Sequence, residues 1–242
     1  MSGLALAWEQ FRLERKLFWR NPSAAFFNFI LPLLLLLLVA SVFASEDQEL
    51  DVLIPGIAGM SVMATTFNAL AFNLTFLREQ GILKRVRGTP VPAASYLGGL
   101  LGSAVLNACV QVALVVVIGN VLYGVDWPSD VPALIGWTAL GVTCFGALGI
   151  AFSHAIPNMD SAPAYANAVF LPAILISGVF YSTETLPRAL EWAAQALPLK
   201  HVIDGLSAAI VGERVDELAA LAVVGIWTVA GLALAVRYFR WE

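Results

Sequence analysis

Six stretches of this chain carry no acidic or basic residue and approach or exceed the length that crosses a bilayer. They are 24–44, 52–77, a run within 88–125, a run within 131–159, then 161–183 and 218–236. A hydrocarbon core ~30 Å thick takes about 20 apolar residues in a helix. Composition agrees: 60% of the 242 residues are apolar and 12% are charged, where soluble domains sit near 45–50% and about 25%. Mean hydropathy is +0.82. Six spans use about 120 positions, and the rest is scattered in pieces too small for a second globular domain of ~100 residues. The expected fold class is therefore an all-α integral membrane protein with no soluble ATPase, kinase or other catalytic module within these residues.

Motifs point the same way. A P-loop needs Gly-Lys-Ser/Thr to cradle phosphates, but Lys16, Lys84 and Lys200 follow Arg15, Leu83 and Leu199. His154 and His201 stand far apart, in no zinc-binding pattern. Cys109 and Cys144 lie inside apolar runs and read as small buried hydrophobes. No metal site and no catalytic residue is expected.

The spans are placed at 24–44, 53–77, 95–124, 131–155, 163–182 and 218–236. The first is too long for the 7–15-residue core of a cleaved signal peptide and is read as a retained helix. Lysine and arginine set the orientation. One side collects ten, including Arg12, Arg15, Lys16, Arg20, Arg78, Lys84, Arg85, Arg87, Arg237 and Arg240. The other collects Arg188, Lys200 and Arg214. Both termini are then cytoplasmic, and the acidic turn from Glu46 to Asp51 faces out.

Residues 3–20 read as an amphipathic helix lying in the membrane interface. At about 100° per residue, Leu4, Trp8, Phe11, Phe18 and Trp19 share one arc, with Arg15 inside it and placed to snorkel to headgroups. Leu6, Leu13 and Leu17 gather opposite. The aromatics are expected toward lipid and the leucines toward protein. In the second span, Ser61, Thr65, Thr66, Asn68, Asn73 and Thr75 are polar. They either line a path or bond neighbouring helices. The wheel puts Thr65, Asn68 and Phe72 on one face, expected to line a path, and leaves Asn73 to bond a neighbour. The Gly98-Gly99 and Gly102 cluster suits close helix packing. Between spans five and six, 184–212 holds two amphipathic pieces too short to span, which suit helices dipping into the outer leaflet.

The loop 78–92 reads Arg-Glu-Gln-Gly-Ile-Leu-Lys-Arg-Val-Arg-Gly-Thr-Pro-Val-Pro. Its acidic residue Glu79, Gly81, the apolar pair Ile82-Leu83, the basic Lys84-Arg85 and Thr89-Pro90 resemble the membrane subunit of type-2 ABC exporters, although Ile82 stands where that family shows threonine. Ser177-Gly178-Val179-Phe180-Tyr181, Leu186-Pro187 and Leu197-Pro198-Leu199 resemble the family's fifth helix and its two short extracellular helices. The resemblance runs over essentially the whole chain. It implies a non-catalytic permease of the bacterial inner membrane that pairs with a second copy or a related permease. Separate ATPase subunits, which bind the ATP and Mg, are its further partners, with membrane lipids and no nucleic acid. It also implies that Glu79, Gln80, Gly81, Lys84 and Arg85 meet the ATPase, and that Tyr181 joins Thr65, Asn68 and Phe72 along the substrate path. A membrane scaffold is the competing reading. A proton-coupled carrier is disfavoured by the lack of an acid–base chain inside the spans.

Overall fold

The computed structural model describes residues 2–43, 47–183 and 186–238. Ala44, Glu46, Glu184 and Arg240, which the sequence reading placed at a span end, in the acidic turn, in the short-helix segment and in the charge count, lie outside them. The described residues form helices without a strand. In order these are α1 (Gly3–Arg20), α2 (Pro22–Phe43) and α3 (Asp47–Met63). A π-helical segment (Ala64–Asn68) leads into α4 (Ala69–Glu79), and α5 (Ile82–Arg87), α6 (Ala93–Tyr123), α7 (Val131–Phe152) and α8 (Ala162–Ile176) follow. The chain continues through α9 (Arg188–Ala196) and α10 (Pro198–Val211) to α11 (Glu217–Tyr238).

Four helices are long and apolar enough to cross a membrane: the continuous rod Leu50–Glu79, then Ala93–Tyr123, Val131–Phe152 and Glu217–Arg237. The apolar stretches Asn28–Val42 and Ala162–Ile176 are shorter. The helix α2 as a whole has 22 residues, and residues 24–27 ahead of Asn28 are apolar as well. The helix α8 ends early, two residues before Gly178 turns the backbone to a φ of +76°.

The core lies where α3, α6, α7 and α10 meet, around Ile54, Ile57, Val62, Val115, Phe145, Val202 and Leu206. Lipid is as apolar as leucine, so such a core is held by close packing of small residues more than by escape from solvent. The helix α10 is sunk into it. Leu199 shares an apolar cavity with Met63, Ile203 packs on Gly59, and Ser207 shares a polar cavity with Pro55. These pairings make α10 antiparallel to α3. Its last turn is tied to the α6–α7 loop, whose Ser129 and Asp130 N–H groups donate to the carbonyls of Ile210 and Ala209 at 3.4 and 3.1 Å. Its other end meets α9 beside Trp227, whose indole N–H donates to the Ala196 carbonyl at 2.9 Å. Fourteen residues rise about 21 Å, short of a full crossing.

Candidate functional site

The rod Leu50–Glu79 ends at Gln80, whose N–H bonds the Phe76 carbonyl at 2.9 Å. Gly81 then takes a φ of +65°, with no atom within 4 Å of where a Cβ would stand. The need for glycine here is conformational, since only glycine enters the left-handed region at little cost. Six residues make too short a helix to stand alone. Leu83, 2% exposed, plugs α5 into a cluster with Leu70, Leu74, Tyr96 and Leu100. Gln80, Lys84 and Arg85 are left exposed on the far side.

This loop is clamped to a second one. Arg78 donates through Nη1 to the Ser153 carbonyl at 3.0 Å and through Nη2 to the Ile156 carbonyl. Glu79 Oε2 accepts the backbone N–H of Met159 at 3.0 Å. The α7–α8 connection, at Ile156 and Met159, is thus tied to the end of α4, just ahead of Gly81. The sequence reading counted Arg78 only as an anchoring charge, because its partners are backbone groups with no sequence signature.

The helix α1 lies along the first half of α6. Ser95 Oγ donates to the Gly3 carbonyl at 2.9 Å, Gly99 abuts Gln10 and Phe11, and Arg15 donates to Asn107 Oδ1. Twelve residues separate the end contacts on both helices, so the two run side by side for about 18 Å. The Arg15 guanidinium also stacks over the rings of Phe18 and Trp19, 5.3 and 5.8 Å from their centroids. Trp8 and Trp19 stand exposed, whereas Phe11 and Phe18 are half-buried. The leucine face turns to the protein only in part: Leu6 is half-buried and Leu17 borders a cavity, but Leu13 and Leu17 are about half exposed. The contact face is instead Gly3, Gln10, Phe11 and Glu14, which the small Ser95, Gly99 and Gly102 of α6 admit closely. Glu14 accepts from Gln10 Nε2 at 2.7 Å. Burial pushes its carboxyl above the usual carboxylate range, and the Gln10 bond opposes that in part.

The π-helical segment rearranges the polar face of the second long helix. Thr65 and Thr66 hydroxyls donate to the Ser61 and Val62 carbonyls, at 2.8 and 2.5 Å, where the bonding pattern changes. Gly149 of α7 closes on the segment, and a Cβ there would meet the Phe67 carbonyl at 2.7 Å. One extra residue in the turn shifts all later positions back by one. Without it, Phe72 would lie about 20° from Thr65 and Asn73 about 80°. With it, Asn73 moves to about 20° and Phe72 to about 120°.

The cavities follow this shift. Thr65 and Asn73 line one space of about 340 Å³ between α1, α2, α4 and α6. Phe72 packs elsewhere, with Phe152 and Met159 around Ala71, Ile156 and Ala162. Asn68 lines neither of those surroundings, and its Oδ1 is buried without a partner. Asn73 makes no side-chain hydrogen bond among the described residues, contrary to the expected bond to a neighbour. Tyr181 borders a separate polar cavity of about 120 Å³ with Lys200, Asp204 and Glu213, and its hydroxyl donates to the Leu175 carbonyl. The expected path residues therefore do not share one space within the subunit.

The chain is thus a multi-pass helical protein with a pegged, clamped loop and a first helix docked along α6. The ABC-2 type transporter family matches residues 4–211. The chain belongs to that family, which supplies the membrane subunit of an ABC transporter. Among its relatives is the linearmycin resistance permease protein LnrN of Bacillus subtilis, 22% identical over 70% of this chain and 44% of that protein. Nodulation protein J of Rhizobium leguminosarum bv. trifolii is 26% identical over 67% of this chain and 62% of its own length. The daunorubicin resistance ABC transporter permease protein DrrB1 of Streptomyces coeruleorubidus is 26% identical over 71% and 63%. The chain thus spans less than two thirds of each of these relatives.

Proposed function

We propose that this chain is the permease half of an ATP-driven exporter in a bacterial inner membrane. Two such subunits, or one and a related permease, pair to form the substrate path. Separate ATPase subunits dock against Glu79, Gln80, Gly81, Lys84 and Arg85. The observation that carries this reading is the peg itself. Leu83 buries one side of α5, and the other side offers a rigid, cationic surface. The Arg78 and Glu79 clamp lets a push on α5 reach both the Leu50–Glu79 rod and the α7–α8 loop.

In this reading α2, with 22 residues, and α8 complete six spans, the bilayer thinning locally to match the 15 residues of α8. The α9–α10 pair enters and leaves the outer leaflet, consistent with the antiparallel course of α10 beside α3. The helix α6 has 31 residues and is about 46 Å long, roughly 16 Å more than the hydrocarbon core. The docking of α1 along its first half suits a helix at the inner interface, with Trp8, Phe11, Arg15, Phe18 and Trp19 meeting lipid or the protein rim. Thr65, Asn68, Phe72 and Tyr181 remain the proposed path residues, Asn68 foremost. Its buried Oδ1 lacks a partner, and a second subunit or a substrate would supply one.

The test is co-purification with the cognate ATPase and export from cells. Lys84→Glu with Arg85→Glu should release the ATPase from a permease that still inserts and folds. Retained ATPase with unchanged export would leave the scaffold reading standing.

A further inference from the structure

The cavity shared by α1, α2, α4 and α6 contains more hydrogen-bonding groups than its place beside apolar spans requires. Its polar lining is Glu14, Asn28, Thr65, Asn73, Ser103 and Asn107, with Asn21 at the rim. Leu70, Leu100 and Phe18 complete the wall. At about 340 Å³ it falls in the size range of small-molecule sites, ~300–1,000 Å³. Two of its amides are unspent. Asn28 Nδ2 is buried without a partner, and Asn73 makes no side-chain hydrogen bond among the described residues. Polar side chains facing apolar surroundings are costly unless paired, so an unpaired donor here points to a guest.

We infer that this cavity binds the uncharged, hydroxyl-rich headgroup of an amphiphile, its apolar tail passing out along the walls toward lipid. Hydroxyls both donate and accept, as the amides of Asn28, Asn73 and Asn107 and the hydroxyls of Thr65 and Ser103 do. An ammonium has only donors and leaves Asn28 Nδ2 unmet. A phosphate satisfies that donor but meets the Glu14 carboxyl with no lysine or arginine in the lining. Arg15, which bonds the lining residue Asn107, is engaged by it and by two rings. Phe18 adds an aromatic face against which the apolar side of a sugar ring packs. The site lies within one subunit and its binding does not depend on the export reading.

The probe is monoglucosyl diacylglycerol, offered to the purified full chain in phosphatidylcholine nanodiscs, with retention counted by native mass spectrometry. Phosphatidylglycerol and dodecyltrimethylammonium serve as the anionic and cationic alternatives. One glucolipid per chain should be retained in preference to either. Asn73→Ala removes a side chain that holds nothing in the fold, so it should weaken retention about tenfold, the worth of one desolvated hydrogen bond, with thermal stability unchanged. Asn28→Leu should weaken retention while raising the melting temperature of the empty protein, because it deletes an orphaned buried donor. A purely structural asparagine would lower both. Preference for the charged amphiphiles, or retention indifferent to both variants, would overturn the assignment. ATPase docking and export are separate readouts, so failure here leaves the proposed function untouched.

Discussion

Two adjacent glycines on α6 separate the docking of α1 from every other reason for glycine in a helix. A Cβ on Gly99 would stand 2.6 Å from both Cβ and Cγ of Gln10 and 2.9 Å from the backbone nitrogen of Phe11. Ordinary carbon contacts lie near 3.5–4.0 Å. Gln10 Cγ can rotate away, but Gln10 Cβ and the Phe11 backbone cannot, so α1 must retreat by about 1 Å. Such overpacking costs about 1–3 kcal/mol. A Cβ on Gly98 meets nothing within 4 Å. Both substitutions to alanine gain the same helix preference, about 1 kcal/mol, which cancels in the comparison. Gly99→Ala should therefore be less stable than Gly98→Ala by about 1–3 kcal/mol, or about 2–12 °C in melting temperature for a chain of this size. Trypsin cutting after Arg12, Lys16 and Arg20 reports the release of α1 directly and should accelerate only in Gly99→Ala. Equal melting temperatures and equal cleavage would show that α1 does not pack on Gly99.

Glu14→Gln should raise stability at pH 8 and lose that advantage as pH falls. The wild-type carboxyl has a folded-state pKa raised by burial, so its favourable contribution is complete below the unfolded value and disappears as pH rises through the folded one. Melting curves of both proteins from pH 4 to 8 check the sign; an advantage largest in acid would refute it. Gly81→Ala forces a side chain into the left-handed region at about 1–2 kcal/mol, and Gly81→Asn should recover part of the lost ATPase stimulation because asparagine tolerates that region. Similar losses in both variants would show that conformation is not what Gly81 supplies. Leu83→Ala should cost about 2–5 kcal/mol and expose α5 to proteolysis before the spans are cut, as seen by fragment mass. For orientation, cysteine at Ser182 should react with an impermeant maleimide outside intact cells and cysteine at Ser2 should not, in a background lacking Cys109 and Cys144.

What the sequence made legible was whatever a bilayer imposes on composition. Uncharged runs located the long helices, and the motif of the charged loop 78–92 located the segment that carries α5, though not the left-handed turn at Gly81. The face of α1 was not legible, for a physical reason. Leucine and tryptophan are equally at ease against lipid and against protein, so an apolar stripe does not say which neighbour it meets. The better signal lay on the partner: Ser95, Gly99 and Ser103 recur every four residues on α6, and small residues at that spacing mark where another backbone comes close.

The second long helix fails differently. A wheel at 100° per residue assumes an unbroken α-helix, and under it Phe72 joins Thr65 while Asn73 turns aside. One additional residue in the π turn exchanges the two. Nothing in Ala64–Asn68 announces that residue, because its cause lies in tertiary structure: Gly149 admits the displaced Phe67 carbonyl, and the Thr65 and Thr66 hydroxyls satisfy the backbone acceptors around it. The exchange has a chemical consequence. It withdraws a phenyl ring from the cavity beside α1 and replaces it with an amide, turning an apolar crevice into one that hydrogen-bonds. Reverting the segment to regular α-helix would bring Phe72 back toward Thr65, so the inferred headgroup site exists only as long as the π turn does.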